Sequence, residues 1–181
     1  LYPDIVDEYF CEVIKNKRVR PHFHMSIQSG SKKILKAMCR PYSPYDMEKA
    51  CAMLRNAKKD AFLACDIITG FPGETDEDFD ATLELCKKCD FSWVHVFPFS
   101  ARPKTAAISA HDFNQVLSEK SSKRAAILSA WASESKRKYI ESCSGKVFDA
   151  ILENVKKNVF YTAEKGKIFH AVTENFLHCE I

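Results

Sequence analysis

The sequence predicts an α/β fold, a parallel sheet interleaved with helices, followed by a small antiparallel β module. Three observations carry this. Runs at 22–28, 62–70 and 93–99 have strand character and are separated by helical patterns, which is the signature of βαβ repetition. The run 62–70 is apolar at nearly every position except Asp66 and Thr69, as buried parallel strands are. Composition then shifts near residues 142–145 to short β-like runs. A boundary there divides 1–142 from 143–181.

Each element has a local reason. Residues 3–16 predict a helix with Ile5, Val6, Tyr9, Phe10 and Val13 on one stripe. In strand 22–28 the even positions His22, His24, Ser26 and Gln28 are polar and the odd positions Phe23, Met25 and Ile27 are apolar. One face therefore meets a polar or wet space and the other a packed layer. Helices are expected at 31–39 and 45–58, split by Pro41 and Pro44. Strand 62–70 runs into the loop GFPGET, where Thr75 and Asp78 form a capping box for a helix reaching about Cys89. Phe79, Leu83 and Cys86 mark its inner stripe. In strand 93–99, Val94 and Val96 alternate with His95 and Phe97. A long basic helix is expected at about 112–140, and β runs at 146–153, 159–162, 167–173 and 176–181.

Composition narrows the function classes. The 181 residues are 46% hydrophobic and 28% charged, an average globular composition that excludes disordered and collagen-like readings. The longest apolar runs are a few residues, far short of the roughly 20 that a membrane helix needs. The first residues carry no secretion signal. Eight cysteines without such a signal read as reduced thiols of a cytoplasmic protein. A net charge of +3 does not by itself imply nucleic acid. The chain begins at Leu1 rather than Met, and three strands make an unfinished sheet, so it reads as a fragment.

In parallel α/β folds the chemistry sits at the C-terminal ends of the strands. Period two and topology put Ser26, Gln28, Asp66 and His95 on the inward polar face. A carboxylate in an apolar strand needs a partner. For Asp66 that is either a neighbouring Lys or Arg or a bound ligand. His22 and His24 share a strand face, which suits either a metal pair of a hydrolase, with His95, or two hydrogen-bonded histidines. Cys86 and Cys89 form a C-x-x-C late in a helix, without a second pair, and read as core-facing Cys86 with an incidental Cys89. The loop 70–75 opens on a helix N-terminus and can cradle an anion with backbone N–H groups. It is not a Walker loop.

The segments HFHMSIQSGS (22–31), ILKAMCR (34–40), DIITGFPGET (66–75) and HVFPFS (95–100) stand in this order. Together they resemble the radical S-adenosylmethionine (SAM) methylthiotransferase family over most of 20–105. The last module, with AILE (150–153) and TENF (173–176), resembles that family's TRAM domain, a small RNA-holding β-barrel. SIQSGS and HVFPFS resemble the branch acting on N6-threonylcarbamoyladenosine in tRNA. The branch modifying ribosomal protein S12 usually has HxS after the strand glutamine, and the isopentenyladenosine branch more often has KYS where this chain has Pro98 to Ser100.

The resemblance implies the C-terminal half of a parallel (βα) radical SAM partial TIM barrel plus TRAM. It implies an enzyme that uses one [4Fe–4S] cluster to cleave SAM, takes hydrogen from adenine C2, and inserts sulfur with an auxiliary cluster. It implies tRNA and a reductant protein as partners. The family's C-x-x-x-C-x-x-C loop is absent from this chain, so no metal ligand and no catalytic residue is expected in it, and alone it should be inactive. The SAM-binding residues implied are Gln28 and Arg40 for the ribose and carboxylate, Asp66 as hydrogen-bond acceptor, Ser26 beside it, and Ile68 and Phe97 flanking the adenine. Arg40 read alone is equally a helix-end cation. Lys104 stands where the family often has Gly, near the substrate entrance. The basic residues of 118–138 are either an RNA footprint or a solvated helix face. Two other classes stand beside this one: a metal-dependent hydrolase using His22, His24 and His95, and a free-standing RNA-binding module.

Overall fold

The computed structural model describes residues 1–101, 116, 118–153 and 170–180. Helix α1 (Glu8–Ile14) precedes strand β1 (His22–Gln28). Helices α2 (Lys32–Ala37) and α3 (Pro44–Ala57) lead to β2 (Phe62–Thr69). Helix α4 (Asp76–Lys88) leads to β3 (Trp93–Pro98), and the long α5 (Ser118–Ser142) follows. The first sheet is parallel with order β1-β2-β3. Among the described residues it is an open sheet. A second, antiparallel sheet has order β4-β5-β6, from Ala150–Leu152, His170–Thr173 and His178–Glu180.

The period-two reading of β1 holds: Phe23, Met25 and Ile27 are buried and His22, His24 and Ser26 are half-buried. Met25, Ile27, Leu63, Cys65, Ile67 and Val94 pack in one core with Met47, Cys51 and Leu54 of α3, Phe79, Leu85 and Cys86 of α4, and Leu128 and Ala132 of α5. Each such large side chain contributes roughly 1.5–3 kcal/mol by leaving water. Helices thus cover one face of the sheet, and the polar face stays partly open.

The helix ends follow their sequence signals. Ser43 with Asp46, and Thr75 with Asp78, form complete capping boxes. Pro44 is the first residue of α3, where its missing N–H costs nothing. Helix α2 ends in a Schellman motif: Cys39 adopts φ 55°, its N–H reaches Lys36 O, and Arg40 N–H reaches Leu35 O. Helix α4 ends the same way at Asp90, which delivers Phe91 into the core.

Several expectations are corrected. The N-terminal stripe is not a core face. Pro3–Ile5 is a 3-10 turn, the helical conformation is interrupted at Val6 and Asp7, and Ile5, Tyr9 and Val13 are exposed while Val6 and Ile14 are buried. The inner face of α4 is Phe79, Thr82, Leu85 and Cys86, with Leu83 only half-buried. Cys89 is not incidental but buried. The run 159–162, residues 167–169 and 181 of the neighbouring runs, and Lys104 lie outside the described residues, and among the described residues the late strands are β4, β5 and β6.

The second sheet is tied to the first part by specific contacts. Asn175, fully buried, donates through Nδ2 to Tyr139 Oη at 2.9 Å. Arg20 pairs with Asp149 and Glu174. His22 stacks on Phe176 with ring centroids 4.3 Å apart.

Candidate functional site

The parallel register sets the site. Ser26, Asp66 and His95 stand side by side across the three strands, and one step further Ile68 pairs with Phe97. Residues in register share a face, so these five side chains line the open face near the C-terminal strand ends. Ser26, Asp66 and Ile68 are half-buried, and His95 and Phe97 are exposed.

Asp66 already has one partner, and it is not a Lys or Arg. His24 Nε2 lies 2.8 Å from Asp66 Oδ1. The His24 ring also lies 5.1 Å from that of His95. His24 reaches across β2 because its register neighbour there is Ala64, whose methyl leaves room. Burial, with His24 nearby, lowers the pKa of His95, and burial with both other imidazoles lowers that of His22. The hydrolase reading fails on this geometry. His22 is stacked on Phe176, His24 is spent on Asp66, and among the described residues no group of three or more His, Cys, Asp or Glu could hold a metal.

Gln28 ends β1 in a tight turn. Its φ is 71°, and Ser29 N–H donates to Ile27 O at 3.0 Å. This i to i+2 bond closes a γ-turn of the positive-φ kind, a rare and strained conformation. The register slips at this point, so that Gln28 pairs with Ile67. The turn is held from behind. Gly30 N–H and Ser29 Oγ meet Thr82 Oγ1, at 2.9 and 3.3 Å. Ser31 Oγ and Lys33 Nζ donate to the Asp78 carboxylate at 2.6 and 2.7 Å. The SGS segment is therefore a joint between β1 and α4.

Arg40 is not in the row. Its guanidinium lies over the Tyr2 ring, 5.6 Å from the centroid, at the β1 edge. It connects to the site through neighbouring Tyr42, whose hydroxyl donates to Ser26 O at 2.6 Å. So the structure brings Ser26, Asp66, Ile68 and Phe97 together, sets Gln28 at their rim, and leaves Arg40 one residue removed. His24 and Tyr42 carry the site and were missed as partners. The signal for His24 was its place two residues before Ser26 on the same face.

The GFPGET loop binds an anion of its own. Gly70 N–H donates to Glu74 Oε2 at 2.7 Å, and Arg124 Nη1 lies 2.5 Å from the same oxygen. Burial raises the pKa of Glu74 despite these donors. The basic face of α5 is also largely occupied. Lys120 and Arg124 pair with Asp76, Lys123 with Glu119, Arg137 with Glu134 and Glu141, and Lys136 lies over the Trp93 ring. It reads as a paired helix face rather than an RNA footprint.

The donor set suits SAM better than an iron cluster. Asp66 and the strained Gln28 offer polar groups beside the apolar Ile68 and Phe97. By contrast, the Cys89 thiol and burial push the pKa of Cys51 up, burial and the Cys86 thiol push that of Cys65 up, and cluster ligands must be thiolates. Among the described residues no helix is long and apolar enough to cross a membrane.

Comparison with known proteins bears on the family and the fold. The radical SAM superfamily profile matches residues 2–86. A threonylcarbamoyladenosine tRNA methylthiotransferase, MtaB, of Treponema pallidum is 39% identical over 181 residues, which is 100% of this chain and 35% of that protein. The protein of the same name in Thermotoga maritima is 48% identical over 104 residues, 58% of this chain and 24% of that protein. A tRNA-2-methylthio-N(6)-dimethylallyladenosine synthase of Maricaulis maris is 35% identical over 153 residues, 84% of this chain and 33% of that protein. Coproporphyrinogen III oxidase of Escherichia coli, a radical SAM enzyme, superposes with a TM-score of 0.62 at 16% identity, over 75% of this chain and 31% of that one. That likeness speaks for the fold. The chain spans about a third of the length of the curated relatives it matches. Along its whole length it is similar to a tRNA methylthiotransferase, and over residues 2–86 it matches the radical SAM superfamily.

Proposed function

We propose that this chain is the SAM-binding side of an enzyme that adds a methylthio group to C2 of N6-threonylcarbamoyladenosine in tRNA. The observation that carries the reading is the Ser26–Asp66–His95 row. It lies on the open face of a parallel sheet, in a chain that aligns end to end with a relative named for that modification. SAM, when bound with its iron–sulfur cluster, supplies the radical chemistry. The residues here bind and orient it. Asp66 accepts a hydrogen bond, Gln28 donates to the ribose, and Ile68 and Phe97 enclose the adenine. Ser26 would line the floor, and Arg40 would hold the carboxylate, which a guanidinium can bind bidentately. The segment 143–181, which carries the second sheet, serves as a TRAM-type module for tRNA. A tRNA substrate makes the cytoplasm the place of action, and the radical step requires a reductant protein.

The test uses the full-length protein, reconstituted with iron and sulfide under anaerobic conditions. It is incubated with SAM, a reductant and tRNA carrying either N6-threonylcarbamoyladenosine or isopentenyladenosine, and the nucleosides are analysed by mass spectrometry. Methylthio transfer to the threonylcarbamoyl nucleoside alone supports the reading. Transfer to isopentenyladenosine, or to ribosomal protein S12 instead, moves the enzyme to another branch.

A further inference from the structure

We propose that His24 is a positioning residue for SAM, acting through Asp66. The inference rests on the reading of Asp66 as a SAM-binding carboxylate. Asp66 lies in the middle strand of the sheet, and its Oδ1 is held by His24 Nε2 at 2.8 Å. At that distance a proton on Nε2 would let the imidazole donate to the carboxylate. Among the described residues no hydrogen bond engages Oδ2. The contact with His24 is thus made by one oxygen, Oδ1.

The surroundings support an orienting role. A lone carboxylate on a strand rotates freely about its terminal torsion, which is broad and two-fold. The imidazole removes that freedom, as orienting partners do for histidines and carboxylates at other sites. His24 is itself held. Its ring lies 5.1 Å from that of His95, which sits edge-on to Trp93 at 5.9 Å, and Lys136 caps Trp93 at 5.2 Å. Ala64 beneath His24 is 1% exposed and leaves the crossing open. This chain of contacts runs from α5 over β3 to β1 and ends on Asp66. A packing residue would not need a nitrogen 2.8 Å from the carboxylate.

The test measures SAM dissociation constants by calorimetry on the full-length, cluster-loaded enzyme, with thermal unfolding alongside. Losing an aligning hydrogen bond to a charged group weakens binding about tenfold. His24→Leu is expected to raise the SAM dissociation constant by about that factor. His24→Gln, which keeps an N–H donor, should recover most of the loss. Asp66→Asn should weaken binding at least as much as His24→Leu. Should His24→Leu fail to fold, His24→Asn, too short to reach Asp66, replaces it. Wild-type affinity in the His24→Leu enzyme together with weakened affinity in Asp66→Asn overturns the positioning role and leaves the SAM reading standing. Wild-type affinity in Asp66→Asn overturns the SAM reading of Asp66 itself. Equal loss in His24→Leu and His24→Gln would assign His24 to packing and also overturns the proposal.

Discussion

Arg124 of α5 is buried against Glu74, fifty residues before it, with Nη1 2.5 Å from Oε2. Both side chains are almost sealed from solvent. The same carboxylate oxygen accepts from Gly70 N–H, and Nη2 of Arg124 reaches Asp76. The loop after β2 is thus closed around an internal ion pair that clamps α5 to the sheet.

Breaking one half of that pair is expected to be severe. Arg124→Leu leaves a buried carboxylate without its counter-charge, which costs about 3–5 kcal/mol. Replacing both residues with apolar ones of similar volume, Arg124→Met with Glu74→Leu, removes the uncompensated charge and should recover most of that loss. Urea unfolding of the full-length protein measures both. A double variant as unstable as Arg124→Leu would show that the clamp acts through something other than the pair.

Two glycines sit at close contacts of different kinds. A Cβ on Gly30 would lie 2.5 Å from Thr82 Cα and 2.7 Å from Ala81 O, both backbone of α4. Gly30→Ala should therefore cost about 1–3 kcal/mol, with no rescue from trimming a side chain. A Cβ on Gly70 would lie 2.3 Å from Ser121 Oγ and 2.5 Å from Ser121 Cβ, with φ at 76°. Gly70→Ala should be rescued in part by Ser121→Gly, leaving about 1 kcal/mol of backbone strain. Full rescue would mean that the positive φ is not costly there.

Acid titration should reveal two carboxyls working in opposite senses. For Asp78, burial alone would raise the pKa, but hydrogen bonds from Lys33, Ser31 and Thr75 bring it down to about 2. Its unfolded value is about 3.9. A depressed folded value means stability fully present above about pH 4 and lost as pH falls towards about 2, worth about 1–2 kcal/mol after screening at the exposed Lys33. Glu74 has a raised folded pKa, because burial outweighs its donors. Its contribution therefore weakens as pH rises above its unfolded value of about 4.3. Asp78→Asn should flatten the acid limb of stability against pH, and Glu74→Gln should steepen it. An acid limb unchanged by Asp78→Asn would remove Asp78 as its source.

The parallel sheet and its polar face were legible because period two is a local signal, visible in residues 22–28 without knowledge of any partner. Capping boxes at Ser43 and Thr75 were legible for the same reason. What could not be read were pairings between distant residues. Nothing near Asp66 in the chain marks His24, forty-two positions earlier, as its partner. Nothing near Glu74 marks Arg124. The N-terminal stripe misled because a 3-10 turn and the Asp7 cap break the helical phase between Ile5 and Tyr9. The contact of Arg40 with Tyr2 was equally hidden, because it depends on the Schellman end of α2 turning the chain.

Gln28 offers a test in which the usual order of two substitutions reverses. At an ordinary strand position Gly is less stable than Ala by roughly 0.5–1 kcal/mol, because it has more backbone freedom to lose. Gln28 has φ 71° in a γ-turn, where a Cβ costs about 1–2 kcal/mol. Gln28→Gly and Gln28→Ala both delete the amide and the buried stem, so their difference isolates the turn. The glycine variant is expected to be the more stable of the two, by about 1 kcal/mol in denaturant unfolding. Both should weaken SAM binding to the same degree if the amide meets the ribose, because neither keeps it. The strain would then be retained for the sake of the side chain it aims. A more stable alanine variant would show that the turn relaxes in solution. A glycine variant with unweakened SAM binding would show that the strained residue is not aimed at the cofactor.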